Sequence, residues 1–166
     1  DRMGLPASAK VQLHVGGVYG ERKKAMERFV ESYEKLAGKI KKRLVIENDH
    51  RSYSLGDCMD LYKETGIPVI FDSFHHECLN SGEKMQEAVE TAAGTWKKGD
   101  GVLMLDYSSQ KKGAATGSHT EHINTMHFRN FLKETGGLDF DIMLEIKDKE
   151  KSAKTAIKIL KHMGRV

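Results

Sequence analysis

A chain of 166 residues with 39% hydrophobic and 31% charged side chains has the balance of one globular domain with a real core. Its formal net charge of +3 permits a polyanionic partner without demanding one, and no apolar run nears the roughly 18–20 residues of a membrane helix. Two cysteines without a CxxC argue against a structural Cys-zinc site and fit a reducing compartment, so a cytoplasmic location is expected. The opening segment DRMGLPASAK has neither an initiator Met nor the pattern of a signal peptide. It reads as the end of a helix, and the chain as a fragment or processed product.

Strand and helix patterns alternate through the whole chain. Residues 11–17 (VQLHVGG) read as a strand, and residues 21–41 carry apolar positions at helical spacing, from Ala25 and Met26 to Ala37 and Ile40. A strand over 43–48 is followed by a helix near 55–65, ended by Gly66. The strand over 68–72 leads to a long loop and a helix around 82–97. A strand over 101–106 is followed by a Gly/Ser/Lys loop and a helix near 124–135. The last strand, 140–146, precedes a helix with Ala153, Ala156, Ile157 and Leu160 as its buried stripe. Continuous apolar strands between helices indicate a parallel α/β sheet, of a doubly wound or a (β/α) barrel kind. No GxGxxG follows any strand, which disfavours a nucleotide-binding sheet. A barrel takes eight strands, so the expectation is a single domain over 1–166 holding about five βα units of a TIM-barrel type.

Each strand delivers a metal-grade side chain near its C-terminal end: His14, Glu47, Asp72 with His75, Asp106, and Glu145. Barrel strands converge there, so residues far apart in sequence share one pocket. Mixed imidazole and carboxylate donors suit Mn, Zn or Fe rather than Ca. D-S-F-H lets Asp72 and His75 reach one ion from a strand-to-loop turn. A strand-end Glu inside a pocket is costly unless paired or ligating, which applies to Glu47 and Glu145. His14 stands inside an apolar strand, where a lone histidine is more often a hydrogen-bonded core residue, but Gly16-Gly17 after it allow close approach at the strand end and favour a ligand. His119 in GSHTEHI is a candidate ligand and His122 a weaker one; His76 faces elsewhere or supports its neighbour. His50, His127 and His162 read as surface or helix residues, and Cys58 as a core residue. Lys111, Lys112 and Ser108 in SSQKKGAATGSH, together with Lys147, are the candidate DNA contacts; Lys149 belongs to a solvated helix start.

In order and spacing, HVGGVYG, IENDH, FDSFHH, DYSSQ with GSHTEH, and MLEIKDKE resemble the UV damage endonuclease family. The resemblance implies a TIM barrel that nicks UV-damaged double-stranded DNA on the 5′ side of cyclobutane pyrimidine dimers and 6-4 photoproducts. It implies a cluster of divalent ions, typically Mn, with Zn, Mg or Fe as alternatives. By motif, His14, Glu47, Asp72, His75, His119 and Glu145 fall on its metal-ligand positions, and Glu47, Asp72 and Glu145 take the catalytic role. Three departures stand out. Met104 and Asp106 replace a Lys-x-His pair whose lysine is chemically modified and whose histidine is a ligand; Asp106 can still ligate, whereas Met104 cannot act as a modified lysine. The chain covers the C-terminal part of such a barrel, and His50 replaces an acid after END.

The competing readings are a xylose-isomerase-like sugar isomerase or epimerase and a non-catalytic fragment that binds DNA or metal. Few aromatics flank the candidate ligands, only Phe74 and Tyr107, which disfavours a sugar pocket. A part-barrel leaves two sheet edges open, and a second copy of the chain is expected to cover them.

Overall fold

The computed structural model describes residues 3–166. Five parallel strands form one sheet in sequence order. They are β1 (Val11–His14), β2 (Leu44–Glu47), β3 (Val69–Asp72), β4 (Met104–Tyr107) and β5 (Asp141–Leu144). Between and after them run α1 (Arg22–Glu34), α2 (Gly38–Lys41), α3 (Leu55–Thr65), α4 (Ser73–Cys78), α5 (Met85–Ala93), α6 (Thr125–Glu134) and α7 (Glu150–His162). The five-unit TIM-barrel-type α/β arrangement expected from the sequence is present.

Side-chain alternation sorts the strands into two faces. Leu44, Ile46, Val69, Phe71, Leu105 and Tyr107 point outward and join one core with Leu61, Ala88, Val89, Phe128 and Leu132 from the helices. Their i+1 and i−1 neighbours point the other way, and Glu47, Asp72 and Asp106 are among them. His14 sits opposite Glu47, Asp72 opposite Asp106, and Asp106 opposite Met143. Glu47 pairs with Ile70, two residues before Asp72, so both acids share the inner face with Asp72 one pleat further along.

The inner face is concave. Gln12 Nε2 of β1 donates to Asp106 Oδ2 of β4 at 2.6 Å. In a flat sheet these strands would stand roughly 14 Å apart, too far for the two side chains to meet. The sheet therefore curls as a barrel wall does.

Local chemistry sets the helix ends. Ser54 caps α3 in a reciprocal box with Asp57, and Gly66 ends it at φ 71°, where a side chain would be strained. The helix expected over 21–41 breaks after Glu34 and restarts at Gly38, because Ala37 is extended there (ψ 142°). The loop expected after β3 is instead α4, which starts at once because the Asp72 carboxylate accepts from the His75 N–H at 2.8 Å. In α7 the buried positions are Ser152, Ala156 and Ile159, whereas Ile157 is exposed. No helix is found over residues 3–10; Asp1 and Arg2 lie outside the described residues. Cys58 is buried in the core, as expected, and burial pushes its thiol up. Among the described residues, no helix is long and apolar enough to cross a membrane.

Candidate metal centre

Glu47 and Asp72 end β2 and β3, Asp106 is the penultimate residue of β4, and all three are at least 98% buried. His75 joins them from the first turn of α4. Its Nδ1 lies 2.9 Å from Asn48 O, 3.0 Å from Glu47 Oε1 and 3.4 Å from Asp72 Oδ2. Ligand atoms of Glu47, Asp72 and His75 all fall within 4.8 Å of one another, close enough to share an ion.

The electrostatics of the group call for a cation. Burial pushes the Asp72 carboxyl up to about 7, against the pull of His75. Burial and the neighbouring Glu47, Glu145 and Asp72 charges push Asp106 up to about 8. Burial alone would lower His75, yet the Glu47 hydrogen bond and the Asp72 charge prevail and raise it to about 9. Protons thus serve as counter-charge for buried carboxylates.

Two carboxylate oxygens, Asp72 Oδ2 and Asp106 Oδ1, are buried without a hydrogen-bond partner. Such atoms are costly to leave unmatched, and a divalent ion would match them. The histidines fit as well. His75 Nδ1 and His119 Nδ1 each face a backbone carbonyl, of Asn48 and Glu145, both at 2.9 Å. A carbonyl only accepts, so Nδ1 carries the proton and Nε2 is left to ligate. The residues present fit a divalent metal.

A line of side-chain bonds fixes the strand ends in sequence. Asn48, just after Glu47, donates to Asp72 O at 3.0 Å and accepts from Asp72 N–H at 2.9 Å. Ser73, just after Asp72, donates to Asp106 O at 3.1 Å. Ser108, two residues after Asp106, donates to Glu145 O at 2.9 Å. Each acid is therefore held by the polar residue that follows the acid before it.

The remaining candidates are less enclosed. His14 Nε2 is 3.6 Å from Glu47 Oε2, but its side chain is 54% exposed. Glu145 and His119 meet at the β5 side, with Nδ1 3.7 Å from Oε2 and side-chain exposures of 34% and 25%. The rings of His14 and His119 lie 6.0 and 5.8 Å from that of His75. All seven candidate ligands thus gather at one end of the sheet.

The sequence reading needs correction at several positions. Ser108 is fully buried and tied to β5, so it offers DNA no surface hydroxyl. Lys111 and Lys147 both pair with Glu121, at 2.6 and 3.3 Å, while Lys112 is exposed in the same loop. His50 is no bystander: its ring lies 5.3 Å from that of His75. Gly117, at φ 84°, packs against His50, and a Cβ there would collide with the ring. His127 is half-buried in α6, between the Tyr107 hydroxyl at 2.7 Å and Glu77 at 2.9 Å. His76 is buried beside Phe71 on the helix side, and exposed His122 pairs with Asp148. Sequence reasoning missed Gln12, Asn48, His50 and Ser73. The available signal was a polar residue beside, or two before, a strand-end ligand.

A curled parallel βα sheet with buried acids and imidazoles at its strand ends defines a TIM-barrel-type protein with a candidate metal centre. Sequence comparison makes the class particular. A family model described as UV-endonuclease UvdE matches residues 1–165, and the chain belongs to that family. It is 39% identical to the UV DNA damage endonuclease of Clostridium perfringens (strain 13 / Type A), over 99% of this chain and 40% of that protein. The corresponding protein of Bacillus cereus (strain 03BB102) is 33% identical over 90% of this chain and 48% of its own length. The crystal structure of SacUVDE superposes with a TM-score of 0.88 at 44% identity, covering 95% of this chain and 53% of that one. The chain spans 40–53% of the length of these three relatives.

Proposed function

We propose that the chain carries the metal centre of a DNA repair endonuclease that nicks double-stranded DNA 5′ to cyclobutane pyrimidine dimers and 6-4 photoproducts. The observation behind this reading is the buried group Glu47–Asp72–His75, with the unmatched oxygens of Asp72 and Asp106 beside it. Family membership supports it, since relatives bear the name UV DNA damage endonuclease.

In this reading Glu47, Asp72 and His75 would hold the first ion, Mn, with Zn, Mg or Fe as substitutes. His14, Asp106, His119 and Glu145 would serve as further donors beside the triad. Bound divalent ions would supply Lewis-acid stabilisation of phosphate charge and a more acidic water for phosphodiester hydrolysis. The chain's own residues do the positioning. His75 and His119 keep their Nδ1 protons on backbone carbonyls and offer Nε2, while Asn48, Ser73 and Ser108 fix the spacing of the acids. Lys112, which faces solvent, would meet the DNA backbone, with Lys111 and Lys147, which share Glu121, as further basic contacts. The open edges of β1 and β5 pair with further strands of an eight-stranded barrel or with a second copy of the chain. Sedimentation of the chain at micromolar concentration separates these, since a monomer excludes the second copy.

The test is a nicking assay with Mn²⁺ on UV-irradiated and untreated supercoiled plasmid. Damage-dependent nicks that vanish with a chelator are the expected result. Equal nicking of both plasmids, or isomerisation of an aldose without nicks, overturns the proposal. Binding to irradiated DNA without nicks under any metal leaves a binding fragment as the reading.

A further inference from the structure

Gln12 is a neutral side chain that reaches into the acid cluster from the far side of the curled sheet. It lies two residues before His14 on β1, opposite Val45, and so points to the inner face. Its Nε2 donates to Glu47 Oε2 and, at 2.6 Å, to Asp106 Oδ2. Both partners are carboxylates, which accept and cannot donate once ionised. The amide nitrogen, with its two hydrogens, is the end that faces them and donates to each. One NH₂ group satisfies one oxygen of each acid. Their remaining oxygens are turned elsewhere: Glu47 Oε1 to His75, and Asp106 Oδ1 to no partner.

A group with two polarised hydrogens between two carboxylates does what a bridging cation does there. We propose that Gln12 fills the cation position between Glu47 and Asp106, and so limits how many ions the centre takes. An ion bridging Glu47 and Asp106 has to displace the amide; an ion at Glu47, Asp72 and His75 does not. Gln12 is thus a positioning residue that confines loading to the triad and holds Asp106 as a fixed, partly matched carboxylate beside it. The inference rests on the metal-centre reading above and adds a statement about stoichiometry.

Mn²⁺ binding by the chain, followed by equilibrium dialysis and by the loss of the free-ion EPR signal, tests it without reference to activity. Gln12→Ala should bind one more equivalent of Mn²⁺ than the natural chain, and the double variant Gln12→Ala/Asp106→Ala should return to the natural count. Gln12→Glu keeps the volume and replaces the donor by an acceptor, so it carries the same expectation should Gln12→Ala lose its fold. If the natural chain binds Mn²⁺ and neither variant gains an ion, or both bind fewer, Gln12 is not a cation substitute and the metal-centre reading stands. A natural chain that takes up no Mn²⁺ sinks that reading, and this inference with it.

Discussion

The middle of the sheet and its two edges carry the same kinds of side chain in opposite surroundings. On β2 and β3 every residue is buried, and their terminal acids Glu47 and Asp72 have almost no contact with solvent. On β1 and β5 the strands are exposed or half-buried; His14 stands largely open and Glu145 is half-buried. Position in the sheet accounts for the difference. A central parallel strand has a neighbour on each side and helices behind it, whereas an edge strand lacks one neighbour. A buried carboxylate demands a counter-charge, while an exposed one is satisfied by water. The middle of the sheet is therefore where an ion gains most, and the edges supply accessory donors.

Substitutions can break or sharpen that contrast. The largest effect is expected in the middle: His75→Ala should reduce damage-dependent nicking by at least about 100-fold, because it removes the only enclosed imidazole of the triad. A rate within tenfold of the natural chain, measured on irradiated plasmid, would place the working centre elsewhere. Asn48→Ala comes next. It strips the buried Asp72 backbone of both partners, which costs about 2–3 kcal/mol. At about 2–4 °C per kcal/mol the melting temperature should fall by roughly 4–12 °C in a thermal scan. An unchanged melting temperature would mean that the strand ends are not held by these bonds.

Edge substitutions should do less. Glu145→Gln is expected to weaken Mn²⁺ binding by about 10-fold, the lower end of what an outlying group contributes. Its effect on unfolding free energy should stay within about 1 kcal/mol, since the side chain is only half-buried. A loss matching that of His75→Ala would erase the distinction between middle and edge. Smaller again is the effect of Lys112→Ala, which should lower the salt slope of DNA binding by about one and leave lesion preference unchanged. Lys111→Ala should change less still, because that lysine already has Glu121 as a partner.

The strand-end ligands could be read in the chain because parallel strands repeat one pattern, an apolar run closed by an acid or histidine. The helix over 55–65 was legible for a similar reason: Ser54, Asp57 and Gly66 are local signals that mark both its ends. Curvature is not a local signal. Gln12 looks like any polar strand residue until the sheet curls and brings β1 against β4. Asn48 and His50 likewise look like loop polarity, and only the approach of β3 and α4 gives them partners. Ser108 misled for the converse reason. A serine in a Gly/Ser/Lys stretch suggests a phosphate contact, but its neighbour Glu145 belongs to a strand more than thirty residues away. Ile157 was assigned to the buried stripe of α7 by spacing alone, yet the helix turns Ala156 and Ile159 inward.

The most direct test of the division between middle and edge is Mn²⁺ uptake by three forms of the chain. These are the natural sequence, Asp72→Asn, and the double variant His14→Ala/Glu145→Gln. Asp72→Asn keeps the volume, so circular dichroism should confirm that the fold is retained. The account predicts that Asp72→Asn loses the tight equivalent of Mn²⁺, with affinity down at least about 100-fold, while the edge variant retains it. Tight binding by Asp72→Asn, together with its loss in the edge variant, would contradict the assignment of the ion to the buried triad.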